Sequence, residues 1–137
     1  MSRSTRYTVT VQFGDCDPAG IVFFPNFLRW MDASSLHFFR TCGLPPWREL
    51  ERTRGIVGTP VLEIQTRFSS PATYGDTIDV HTRIESWRNK VFVHSHRVML
   101  GERLLCEGTE TRAFVERGTD GRIHAIPVPE DIRALCS

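Results

Sequence analysis

The densest group of reactive side chains lies in the seven residues Gly14-Asp15-Cys16-Asp17-Pro18-Ala19-Gly20. Asp17-Pro18-Ala19-Gly20 suits a tight turn, with Pro18 fixing φ at the second position and Gly20 closing it. The apolar run Ile21-Val22-Phe23-Phe24 then meets Pro25, a favoured first residue of a helix. A carboxylate is thereby predicted beside a helix N-terminus, whose unpaired N–H groups and dipole attract an anion or polarise a carbonyl. Such a carboxylate can serve as nucleophile or general base toward the carbonyl held there. The plainer alternative is that Asp15 and Asp17 only cap the turn. Cys16, flanked by two carboxylates, makes a poor thiolate and reads as structural.

Other groups carry weaker signals. His94 and His96 are two apart, so in a strand they share a face and could bind a metal. No third ligand or HExxH is evident, and a half-exposed strand face accounts for them better. Phosphate-loop motifs are absent, so no nucleotide cofactor is expected. Trp87-Arg88-Asn89-Lys90 sits at a hairpin turn and offers two cations to a phosphate, or is simply a solvated turn. Trp47, after the stiff Gly43-Leu44-Pro45-Pro46, could line a pocket or plug the core. Two glycines in Gly55-Ile56-Val57-Gly58-Thr59-Pro60-Val61 allow a ligand close to the backbone, or only bend the start of a strand.

The elements that must position these groups are legible from periodicity. Residues 7–13 alternate as a strand with one buried face. Residues 25–41 are helical, with Phe27, Trp30, Met31, Ser34 and Phe38 recurring at steps of three and four and Leu28, Ser35 and Phe39 beside them. Few polar residues interrupt that pattern, so the helix is expected to be wrapped on most sides. Gly43 and Pro45-Pro46 stop it, and a short helix at 46–53 follows. Segments near 57–68, 76–87, 91–100, 103–116 and 121–126 read as strands separated by short turns, which argues for an antiparallel sheet. One strand, one long apolar helix and then four or five strands make an α+β layout with the sheet packed on the helix.

Composition narrows the function classes. A chain of 137 residues is expected to form a single domain over 1–137. Its 40% apolar content and net charge of +1 exclude disorder. Seventeen basic residues against sixteen acidic ones leave no bias toward nucleic acid. No stretch approaches the ~20 apolar residues of a membrane span. The N-terminus lacks the apolar core of a signal peptide, and the four cysteines show no metal-type spacing. Reduced thiols in the cytoplasm are the expectation.

The stretch FGDCDPAGIVFFPNFLRWMD, followed by CGLPPW, GIVGTPV and SWRNK, resembles the hotdog-fold acyl-CoA thioesterases of the 4-hydroxybenzoyl-CoA type. The resemblance runs over nearly the whole chain to the final ALCS. It implies an antiparallel sheet of five or six strands around one long central helix. It also implies paired subunits with active sites at the dimer interface, as a homodimer or homotetramer, and an acyl-CoA substrate without metal or cofactor. Carried over by position, Asp17 is the catalytic carboxylate, attacking the thioester carbonyl or activating water. The backbone N–H of Phe24 polarises that carbonyl. Trp47 and Thr59-Pro60-Val61 contact substrate, and Arg88 and Lys90 hold the coenzyme A phosphates.

Family members often carry Trp and Tyr where this chain has Phe23 and Phe24, but the amide role needs only backbone. Asn89 stands where a third base would strengthen the phosphate site. The expected reaction is hydrolysis of an aromatic acyl-CoA, with 4-hydroxybenzoyl-CoA first. Other aryl or short aliphatic thioesters, or binding of acyl-CoA without turnover, are the alternatives. Binding alone has no need of Asp17, which favours catalysis. A hotdog dehydratase would need a histidine paired with an acid, and residues 14–26 hold none.

Overall fold

The computed structural model describes residues 3–137. The long helix α1, Pro25–Cys42, buries Phe27, Trp30, Met31, Ser34, Ser35, Phe38, Phe39 and Cys42. Those positions recur every three or four residues, so one broad face is turned inward. Gly43 ends the helix at φ 102°, a left-handed conformation that costs a residue with a side chain but not glycine. Its N–H caps the carbonyl of Arg40, and the Leu44 N–H caps that of Phe39.

A five-stranded antiparallel sheet wraps this helix. It comprises β1 (Ser4–Thr10), β3 (Val61–Phe68), β4 (Thr77–Trp87), β5 (Val91–Leu100) and β6 (Arg103–Ala113), in the order β1-β4-β5-β6-β3. A smaller sheet of β2 (Ile56–Gly58), β7 (Val115–Arg117) and β8 (Ile123–Ala125) lies beside α2 (Trp47–Arg54). The C-terminal helix α3 spans Glu130–Leu135. This is the expected α+β hotdog arrangement with five strands around the helix. Among the described residues, no helix is long and apolar enough to cross a membrane.

The core falls into two clusters along α1. Phe38, Phe39, Phe92 and Phe114 gather at one end, and Phe27, Trp30, Met31, Ile78, Val80, Val98 and Leu105 at the other. Each fully buried large side chain contributes roughly 1.5–3 kcal/mol, against about 0.5–1.5 for a typical hydrogen bond. Apolar burial therefore holds the helix against the sheet, and the polar pairs between them set its register.

Four details differ from the sequence-based expectations. The first strand ends at Thr10, because Phe13–Asp15 coil into a 3₁₀ turn held by an N–H···O bond from Gln12 to the Asp15 carboxylate (2.8 Å). The 57–68 segment breaks into β2 and β3 at Thr59-Pro60, since proline cannot donate to a ladder. The 103–116 segment breaks at Phe114, whose side chain turns into the aromatic core. Helix α3 shows no periodicity in the sequence, being only six residues long.

Candidate active site

Asp17 sits where the turn was expected. The Gly20 N–H donates to the Asp17 carbonyl (2.9 Å), the Asp17 N–H to the Ile21 carbonyl (2.9 Å), and Gly20 has φ 82°. The turn is fastened from outside by Thr73, whose hydroxyl donates to the Gly20 carbonyl (2.7 Å). The Val22 N–H reaches the Ala72 carbonyl (2.9 Å). A carboxylate mounted there has few ways to move.

The two carboxylates of the motif have different environments. Asp15 is tied down: one oxygen accepts from the Gln12 N–H (2.8 Å) and the other lies 3.2 Å from the Arg29 guanidinium. Half-buried Asp17 accepts only from the Ala19 N–H, at 2.9 Å on Oδ1. Its Oδ2 has no protein partner among the described residues. Asp15 thus builds the turn and Asp17 is left with an unengaged oxygen, a division the spacing alone did not disclose.

The head of α1 offers the complementary group. Pro25 has no N–H, the Asn26 N–H turns back to the Phe23 carbonyl (2.9 Å), and the Phe27 N–H to that of Phe24 (3.1 Å). The Phe24 N–H has no partner among the described residues. An unpaired donor at the positive end of an 18-residue helix is suited to hold a carbonyl oxygen as it gains charge. The Phe24 ring is 56% exposed and stands edge-on to Phe23 and Phe68.

Trp47 serves both of the purposes open to it. Its ring packs on Phe39 and Phe114 and also forms a wall of a cleft of about 440 Å³. Thr59, Pro60, Val57, Leu36, Val115 and Ile123 continue that wall, with Asp32 and Arg112 as its charged members. Val61 lies just beyond it, at the start of β3. Asp17 and Phe24 do not line this cleft. Phe24 instead borders a separate apolar depression of about 290 Å³ with Phe27 and Phe68. Within one copy the reactive turn and the Trp47 cleft are therefore not brought together.

Arg88 and Lys90 are exposed at the β4–β5 turn. Arg88 lines a depression of about 330 Å³ with Trp87, Asn89, Pro127, Val128, Glu130 and Arg133; Lys90 is not part of that lining. Arg133, on the helix that periodicity missed, is the second cation there.

The largest departure concerns His94 and His96, which are wholly buried rather than on a half-exposed face. Phe92, His94, His96 and Val98 alternate toward α1, where the small Ser34 and Ser35 leave room for imidazoles. Burial, then the charges of His96 and Arg112, holds His94 well below the ordinary imidazole range. Its Nδ1 pairs with the Ser35 hydroxyl (2.8 Å), while Nε2 has no partner among the described residues. Glu110 of β6 adds the third group of metal-ligand spacing that the sequence did not reveal. Both Glu110 oxygens are already engaged, Oε1 by His96 at 2.5 Å and Oε2 by Arg112 at 3.0 Å, so the guanidinium occupies the cation's place. Burial alone pushes the Glu110 carboxyl up, but His96 and Arg112 outweigh it and hold it below the usual carboxylate range. Nearby Cys106 is no nucleophile, since burial and then Glu107 push its thiol up to about 12.

A helix-wrapping sheet with a free carboxylate and a free N–H at the helix head defines a protein built to act on a carbonyl. The chain belongs to the thioesterase-like superfamily, whose family model matches residues 11–135. It is 44% identical to 4-hydroxybenzoyl-CoA thioesterase of Pseudomonas sp. (strain CBS-3), with both chains covered in full. Among solved structures it superposes on a D17N mutant of 4-hydroxybenzoyl-CoA thioesterase complexed with 4-hydroxybenzoyl-CoA. That match has a TM-score of 0.95 and 42% identity, covering 99% of this chain and 100% of the other. A gentisyl-coenzyme A thioesterase matches with a TM-score of 0.82 and 32% identity, over 96% of this chain and 98% of the other. The chain is accordingly a thioester hydrolase.

Proposed function

We propose that this protein hydrolyses a hydroxylated aromatic acyl-CoA, with 4-hydroxybenzoyl-CoA as its substrate, at a site shared by two copies of the chain. The observation that carries the reading is the pairing of an unengaged Asp17 oxygen with an unengaged Phe24 N–H on one stiff turn-and-helix junction. The N–H takes the thioester oxygen as it becomes an oxyanion. Asp17 attacks the carbonyl carbon, or removes a proton from the water that does so. The C–S bond breaks and coenzyme A leaves as the thiolate, which takes up the proton released by water. In the nucleophilic route that water opens the aspartyl anhydride, freeing the acid and restoring the Asp17 carboxylate. The D17N change carried by the related thioesterase in complex with 4-hydroxybenzoyl-CoA supports an aspartate in this role.

The Trp47 cleft, with Thr59-Pro60-Val61 at its edge, takes the acyl group. Its walls are mostly apolar, as an aromatic ring requires, and Asp32 offers an acceptor to a ring hydroxyl. Arg88, assisted by Lys90 and Arg133, holds the coenzyme A phosphates. Two copies are needed because one copy separates the cleft from Asp17. The exposed edge strand β3 presents Leu62, Ile64 and Phe68 to solvent, and an unpaired apolar edge calls for a partner strand.

The test is thiol release from 4-hydroxybenzoyl-, 3-hydroxybenzoyl-, benzoyl-, phenylacetyl- and short aliphatic CoA esters. Preference for the hydroxybenzoyl esters is expected. An aliphatic preference would move the substrate, and no release from any ester would leave a binding protein.

A further inference from the structure

A buried polar cluster lies directly behind the Trp47 cleft, and the reaction above uses none of its inner members. Arg112 is buried on the inner face of β6, yet its guanidinium bonds along its own strand, to the β2–β3 link and to α1. Nε and Nη2 fork onto Glu110 Oε1 and Oε2 at 3.3 and 3.0 Å. Nη1 donates to the Thr59 carbonyl at 2.8 Å, and Nη2 to Asp32 Oδ1 at 2.7 Å. Behind Glu110, His96 Nε2 meets Oε1 at 2.5 Å, and His96 Nδ1 pairs with the Thr82 hydroxyl at 2.7 Å. The run begins in the closed core and ends at Asp32, whose side chain is 67% exposed.

We propose that Arg112 is a positioning residue for acyl selection. Braced by Glu110 and His96, it holds the Asp32 carboxylate at a set distance from the Thr59 backbone, so that Asp32 receives the hydroxyl of a hydroxylated aromatic acyl group. An aspartate on an exposed helix face otherwise samples several rotamers. The planar guanidinium removes that freedom, because gripping Glu110 with two N–H groups fixes where those bound to Thr59 and Asp32 point. A ring without a hydroxyl then leaves the aimed carboxylate without its donor, which is how a site built for a hydrogen bond rejects the analogue lacking it. The proposal rests on the hydroxylated-aryl reading of the substrate.

Arg112→Lys keeps the positive charge but cannot grip Glu110, Thr59 and Asp32 together. The ratio of kcat/KM for 4-hydroxybenzoyl-CoA to that for benzoyl-CoA is the readout, because a merely structural loss leaves it unmoved. The ratio is expected to fall at least about tenfold in Arg112→Lys and in Asp32→Ala, which removes the acceptor, chiefly through KM for the hydroxylated ester. The double variant is expected to fall no further than Asp32→Ala alone, as for two residues acting through one contact. Equal losses on both esters in Arg112→Lys overturn the proposal. So does an unchanged ratio in Asp32→Ala, which decides the matter even if the Arg112 variant fails to fold. Wild-type protein that hydrolyses thioesters but ignores the ring hydroxyl overturns the substrate reading, and this proposal with it.

Discussion

The side-chain amide of Asn26, in the first turn of α1, donates a 2.7 Å hydrogen bond to the carbonyl of Asp15. It ties the turn that carries Asp17 to the helix whose first free N–H is that of Phe24. The backbone repeats the tie, with the Phe23 N–H donating to the same carbonyl at 2.9 Å. The distance between the Asp17 carboxylate and the Phe24 N–H is therefore set by short covalent and hydrogen-bonded paths, not by side-chain packing.

Asn26→Ala removes one of those two ties and should lower kcat by roughly 10- to 100-fold while leaving KM close to wild type, since small misplacements at a reacting centre are costly. Steady-state kinetics on the preferred ester checks this. A rise in KM with unchanged kcat would assign Asn26 to binding instead.

Asp17→Asn keeps the turn, because the Asn carbonyl can still accept from the Ala19 N–H. Turnover should fall at least about 10²-fold while acyl-CoA is still bound. Binding titration of the variant with intact substrate, beside its turnover rate, tests both halves. Surviving turnover would remove Asp17 from the chemistry.

Arg88→Ala and Arg133→Ala should each raise KM several-fold for coenzyme A esters and leave pantetheine thioesters of the same acid nearly unaffected, because only the nucleotide carries the phosphates they would meet. Equal effects on the two ester types would place these cations elsewhere.

Ile64→Lys puts a charge on the exposed edge strand β3. If that edge pairs two copies, the variant should run as a monomer in sedimentation and lose most thioesterase activity, although each copy keeps Asp17. An active monomer would show that one chain builds a whole site.

The neutral His94 predicts acid lability. In the unfolded chain His94 takes up a proton as pH falls through about 6.5, whereas the buried imidazole does not. The unfolded state then binds more protons, so stability is full above that pH and declines below it, by at most about 1.4 kcal/mol per pH unit. Glu110, also held below its ordinary value of 4.5, adds its own loss only from about pH 4.5 downward by the same linkage. His94→Gln should therefore flatten the stability curve between these two values in urea unfolding. An unchanged slope there would mean that His94 is protonated in the folded protein.

How far the sequence reached depends on whether the information was local. The turn at Asp17, the helix beginning at Pro25 and its stop at Gly43 were all legible, because each follows from φ restrictions and side-chain period over a few neighbouring residues. The strands were legible as alternation, but the break of the 57–68 segment at Thr59-Pro60 was not, although a missing proline N–H explains it once seen. Asp15 and Asp17 look equivalent in the chain, yet only the folded turn engages one and frees the other. His94 and His96 show two polar residues on a strand face. Nothing local says that Ser34 and Ser35, some sixty residues earlier, leave room for them in the core. Glu110 and Arg112 are ordinary charges in the sequence, and Asp32 reads as an interruption of an apolar helix. Their union at one wall of a cleft requires β5 and β6 to pair in register and α1 to cross them. Chemistry carried by a contiguous motif was thus determined by the chain itself. The Asp32–Arg112–Glu110 cluster, assembled from residues far apart in sequence, was decided only when burial of the two apolar clusters brought those layers together.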